Sequence, residues 1–159
     1  MTKNLLTAVI LLISLQALSQ ETPYKSRSTK EHTLLVGFNA ANYIYGEIGY
    51  AFNRYGTAGH HPIATAFYGG SEVMIGKDFI IGPKIGWQAM GGLAMGGSMI
   101  YYTNFDAGSL VLRPEFGIGM ERFKMVYGWN VKITNKDFER INTHLFSFSY
   151  LITLKTIKQ

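Results

Sequence analysis

The 159-residue chain contains no cysteine. A disulfide scaffold and a lipid anchor attached through cysteine are therefore both excluded. Charged residues make up only 16% of the chain, and the formal excess of +5 is dispersed, not gathered into a basic stripe. Nucleic acid is not an expected partner of such a surface. Beyond the N-terminus, no apolar run approaches the roughly 20 residues that a membrane-spanning helix needs. Phosphate loops, dinucleotide fingerprints and zinc motifs are missing as well, so no cofactor and no metal are expected. The glycine-rich "GGLAMGG" (Gly91–Gly97) sits between strand-like segments, without the helix that a phosphate loop opens. "HHP" places His60 beside His61, but neighbours on a strand point opposite ways and no third ligand is near; the stretch reads as a turn.

What is present begins with a targeting signal. Lys3 gives a positive start, "LLTAVILLISL" a short apolar stretch, and Ala17 and Ser19 the small residues ahead of a cut before Gln20. Residues 1–19 read as a secretory signal peptide, too short for a comfortable spanning helix. Residues 20–32 are polar and without period, a flexible leader. Residues 33–155 form one domain, since the remaining length supports one and not two.

Over that domain, apolar residues recur with period two, the signature of strands. Eight such segments follow one another: 33–40, 43–53, 65–75, 79–89, 93–103, 110–120, 123–133 and 143–155. The seventh is the cleanest, with Phe123, Met125, Tyr127, Trp129, Val131 and Ile133 alternating with Lys124, Gly128, Asn130 and Lys132. The links are too short for helical crossovers, so neighbours are antiparallel. Glu121 and Arg122 make a two-residue hairpin, "NFDAG" (Asn104–Gly108) is a turn, and "NKDFERIN" (Asn135–Asn142) is a longer loop. "RYGTAGHHP" (Arg54–Pro62) is expected to be the longest link, on the side of the chain termini.

One face of nearly every strand carries Trp, Phe, Tyr and Ile; the other carries Gly, Ser, Asn and scattered charges. A soluble ligand-carrying barrel needs the opposite arrangement, with an apolar cavity and a charged exterior. Strands of about 9–11 residues with apolar residues outward are what a transmembrane barrel requires. The expected fold is therefore all-β, a closed antiparallel eight-stranded transmembrane up-and-down barrel following a cleaved signal peptide. Eight strands leave an interior filled by side chains and no pore. A soluble β-sandwich is the competing reading, since it also leaves charges outside its core.

The segments "YGEIGYAF", "GPKIGW", "YYTNF", "RPEFGIG" and "YGWNV" carry a resemblance. Residues 33–155 resemble the small outer-membrane barrels of the OmpA/OmpX type, and an uncharacterised barrel family of Bacteroidota. The resemblance implies the fold and a place in the cell outer membrane, and implies no activity.

Within the lumen, Glu47, Glu72, Lys84, Arg113 and Glu115 are expected at similar depth, as a buried ionic network that rigidifies the barrel. Lys84 is expected to pair with Glu115, directly or through one bridging group, and Arg113 to join Glu47 or Glu72. Pro83 and Pro114, each outward in a sheet without edges, are expected to cause a bulge or a local break. A hydrolase would need a nucleophile and base in contact. His144 has outward parity while Ser147 and Ser149 point inward, so a dyad on this strand would straddle the wall. The expected function is a non-catalytic structural or interaction role in the cell envelope, as a monomer contacting membrane lipid and lipopolysaccharide, with room for an envelope protein partner. A lipid A-modifying outer-membrane enzyme is the second reading, and a soluble secreted ligand-binding β-barrel the third.

Overall fold

A computed structural model of the protein describes residues 29–58, 61–76 and 79–157. The expected signal peptide, the expected leader up to residue 28, and His60 lie outside the described residues, as does the side chain of His61. The described chain is all strand and turn: β1 (Thr29–Ala40), β2 (Ile44–Ala58), β3 (His61–Met74), β4 (Ile81–Thr103), β5 (Gly108–Met120), β6 (Phe123–Trp129), β7 (Val131–Lys132) and β8 (His144–Ile157).

β4 is a hairpin. Ile81–Met90 pair with β3, whereas Gly92–Thr103 pair with β5. Its two halves run side by side, because a Cβ on Gly96 would lie 2.5 Å from the Trp87 carbonyl oxygen. The fold-back falls at Gly91 and Gly92, and Gly92 takes a φ of 90° that a side chain would resist. β6 and β7 form one stave, since both hold the same register against β5 on either side of Asn130. The eight staves meet neighbour to neighbour, and β1 pairs with β8, so the antiparallel sheet closes into a barrel. Closure leaves no sheet edge with unpaired backbone.

The register spirals as it goes round. From Lys132 it passes to Val111 and Ile100, across the β4 hairpin to Lys84, then to Gly70, Gly49, Leu35 and Leu151. The amide of Leu151 then donates to Arg122, so the path re-enters its starting stave at Arg122 and not at Lys132. Such stagger accompanies strands tilted about 35–45° to a barrel axis.

Two expectations about boundaries change. β1 starts at Thr29, inside the supposed leader, because Glu31 points into the barrel and accepts from Thr153 Oγ1 at 2.9 Å. Residues 54–58 and 61–62 are strand, so the stretch is not the longest link, with Arg54 opposite Thr65 and Ala58 opposite His61. This end of β2 and β3 is, as expected, the one that holds Thr29 and Ile157, the terminal end. The longest connection, between Lys132 and His144, lies at the opposite, loop end.

The lumen has three levels. An apolar cluster of Leu35, Ala51, Ala64, Ala66, Met90, Ala94, Val126 and Leu151 fills the terminal half. A second, of Tyr45, Met74, Ile80, Ile100 and Val111, closes the loop end, where Phe138 and Ile141 drop in from the last connection. Between them lies a belt of charge. The lumen is thus not uniformly polar, as the alternation alone suggests.

Candidate functional site

The belt is built on the inward positions of five staves. Glu47, Glu72, Lys84, Arg113 and Glu115 are all buried, and each points inward because its neighbours in sequence point out. Glu47 and Glu72 stand directly opposite each other across β2 and β3. Two like charges so placed repel. The ammonium of Lys84 settles between them, 2.5 Å from Glu47 and 2.9 Å from Glu72.

Glu72 is the hub. Arg113 forks onto it, Nη1 to Oε1 at 2.6 Å and Nη2 to Oε2 at 3.0 Å. Tyr102 donates its hydroxyl to Glu72 at 2.5 Å and accepts from Arg113. The remaining guanidinium edge is used as well, Nε donating to Asn130 Oδ1 at 2.7 Å. Charged forks of this kind combine strength with fixed orientation. Glycines make the space: a Cβ on Gly82 would strike the Tyr102 ring, and one on Gly128 would press on the Arg113 methylenes.

Glu115 belongs to a separate pair with Lys124, at 2.6 Å. The direct form of the expected Lys84–Glu115 pair is therefore not formed. The two residues are similarly far from their strand ends, but in a staggered barrel that does not put them in reach, and the facing Glu47 and Glu72 claim the lysine. The expected contact between Arg113 and Glu72 is present. Lys124, near the β5–β6 turn, is an addition to the expected network; its length carries the ammonium to Glu115. Tyr68 lies between the two lysines, with Lys84 Nζ 5.3 Å and Lys124 Nζ 5.6 Å from its ring centre. Inward parity marked Lys124, Tyr68 and Tyr102 in the sequence, but nothing local signalled that they meet.

The belt's three carboxylates and three cations balance, and the apolar clusters seal it above and below. Charges so enclosed can hold eight staves in one register; carrying an ion through the barrel would require both plugs to open. At Pro114 the ladder lapses as expected: pairing of β5 stops at Glu115–Gly128 and resumes at Leu112–Val131. Asn130 faces Arg113 across that gap in the shared register, and its amide donates to the Thr143 carbonyl, continuing the β6–β8 ladder. At Pro83 the expected bulge is absent, and register with β3 runs unbroken through Ser71. A proline there forfeits its own donor while adjacent pairs hold the alignment.

Outside the wall, His144 Nδ1 lies 2.5 Å from the Tyr127 hydroxyl, and the imidazole stacks on Trp129. Ser147 and Ser149 are buried on the other side. Among the described residues no group of three or more metal-ligating side chains comes together. No protein-family model, curated protein or solved structure matches the chain.

Proposed function

We propose that the protein is a non-catalytic outer-membrane barrel with a structural or interaction role in the cell envelope, of the small OmpA/OmpX type. The observation that carries this reading is the exterior. Ile48, Phe67, Ile85, Met95, Phe116, Met125, Phe146 and Ile152 are all exposed, on every side of the barrel. A water-soluble monomer rarely exposes contiguous apolar patches above a few hundred Å². The charges of the staves either point into the lumen or cluster near the two ends. Along β8, the outward side from His144 to Leu154 carries Phe146, Phe148, Tyr150 and Ile152. That stretch measures about 33 Å at about 3.3 Å per residue. Tilted by about 40° it stands about 25 Å tall, the height of the apolar band on outer-membrane barrels.

Aromatic residues gather at both edges of this band: His32, Tyr50 and Phe52 toward the terminal end, Tyr127, Trp129 and His144 toward the loop end. Such girdles suit the two membrane interfaces. A soluble ligand carrier gains no support from this exterior, and a hydrolase gains none from a histidine and serines on opposite sides of a wall. The barrel would contact membrane lipid and lipopolysaccharide and act as a monomer. Fractionation of cells with separation of the two membranes tests the reading. Recovery in the outer-membrane fraction, with gel migration that changes on boiling, is expected. Recovery in the soluble fraction would refute it.

A further inference from the structure

The loop end carries backbone strain that the rest of the described chain lacks. Phe105, Asn135 and Arg140 have φ of 75°, 31° and 66°, and no other described non-glycine residue has a positive φ. For a bulky side chain this region is a true outlier. Strained residues persist where the surroundings over-determine them, and they gather at binding sites. All three lie around one cleft of about 660 Å³, inside the about 300–1,000 Å³ span of small-molecule sites. Asn135 and Arg140 line it, and Phe105 lies between the lining residues Asn104 and Ala107.

The surroundings are rigid. Lys132 Nζ donates to the carbonyls of Lys136 and Phe138, and the Tyr45 hydroxyl to that of Arg140. Asn142 clamps both backbone groups of Tyr43, at 2.9 and 2.7 Å. Phe138 and Ile141 are buried beneath the loop as its anchors. On the rim, Phe79 and Phe105 stack with ring planes 6° apart, both largely exposed.

We propose that this cleft binds a short neutral oligosaccharide. Carboxylates at Asp137 and Glu139 and the amide of Asn135 supply acceptors and donors for neighbouring hydroxyls, and Asn104, whose Oδ1 accepts from the amides of Asp106 and Ala107, adds its NH2 as a donor. Phe79 supplies an aromatic face, whose negative quadrupole attracts the polarised C–H bonds of a sugar ring. The acids Asp137 and Glu139 are balanced by Arg140 and by Lys132, whose ammonium lies against the lining residue Phe138, so the cleft offers a sugar acid no net attraction for its desolvation. The site deepens the interaction role read above and rests on it for its biological setting, though its chemistry needs only the loop end.

The test uses the full chain in a detergent without a sugar headgroup, titrated with maltotriose, triacetylchitotriose and trigalacturonate by calorimetry and saturation-transfer NMR. Saturable binding of a neutral trisaccharide is expected, with trigalacturonate at least about tenfold weaker, a difference of about 1.4 kcal/mol. Phe79→Ala and Asp137→Ala, both at exposed rim positions, should each weaken binding about tenfold while the heat-dependent gel shift is kept. Failure of all three sugars, equal affinity for acid and neutral forms, or binding untouched by both substitutions would overturn the proposal. So would saturable binding of calcium chloride alone, lost in Asp137→Ala, with no sugar binding. Detergent phase separation keeps the two readings apart: a chain that stays in the aqueous phase refutes the membrane reading, whatever the sugar result.

Discussion

The two ends of this barrel meet the same geometric demand in opposite ways. At the terminal end the chain reverses in tight hairpins, and the positive φ of the β4 turn is given to Gly92. Four alanines, Ala51, Ala64, Ala66 and Ala94, pack with the aliphatic Leu35, Met90, Val126 and Leu151 to fill the lumen there. At the loop end the reversals are longer, positive φ falls on Phe105, Asn135 and Arg140, and large aromatic residues close the lumen. One end is relaxed, and the other holds strain in place with buried anchors. Loops set on a rigid scaffold are where binding tends to reside. The difference points to the loop end as the working surface and to the terminal end as plain closure.

The charge belt separates the two ends, and breaking it sets the scale. Glu72→Gln should cost about 3–5 kcal/mol, because Arg113 and Lys84 are left buried with too little opposite charge. Urea unfolding in lipid vesicles measures this; a loss below about 1 kcal/mol would mean that water relieves the belt. Ile85→Arg, on the outer wall near its middle, should cost about 2–4 kcal/mol by the same method, and Trp129→Arg, close to the loop-end girdle, about 0–1 kcal/mol. Equal costs would remove the depth gradient that a membrane imposes. Gly92→Ala meets no neighbouring atom, so its cost should be backbone strain alone, about 1–2 kcal/mol. Asn135→Gly, at the other end, should leave stability unchanged or raise it by less than about 1 kcal/mol. If Gly92→Ala were harmless and Asn135→Gly damaging, the contrast between the ends would be reversed.

Much of this architecture is legible in the sequence, for a physical reason. Parity along a strand decides which side of a wall a residue faces, and it needs only local sequence. Glu47, Glu72, Lys84, Arg113 and Glu115 are placed inward on that ground alone, and the structure has all five buried. Who pairs with whom depends on register between staves, which accumulates around the barrel and leaves no local mark. Lys84 was matched with Glu115 for that reason, although the opposed Glu47 and Glu72 hold it. Phe138 and Ile141 plug the lumen from a segment without period, so nothing in their spacing identifies them as buried. Pro114 shows how far local chemistry reaches. The missing donor foretells a break, but that Asn130 faces Arg113 across it and is tied to Asn142 depends on three separate segments.

The inside-out polarity of the wall is tested most directly by its two tryptophans. Trp87 and Trp129 both lie on the outer face, 38% and 50% exposed. With the full chain in vesicles, lipids brominated along their acyl chains should quench both, as read in Trp87→Phe and Trp129→Phe variants that each keep one indole. Aqueous iodide should quench them weakly. Strong quenching by iodide with none by the brominated lipid would contradict the outward, lipid-facing placement on which the proposed function stands.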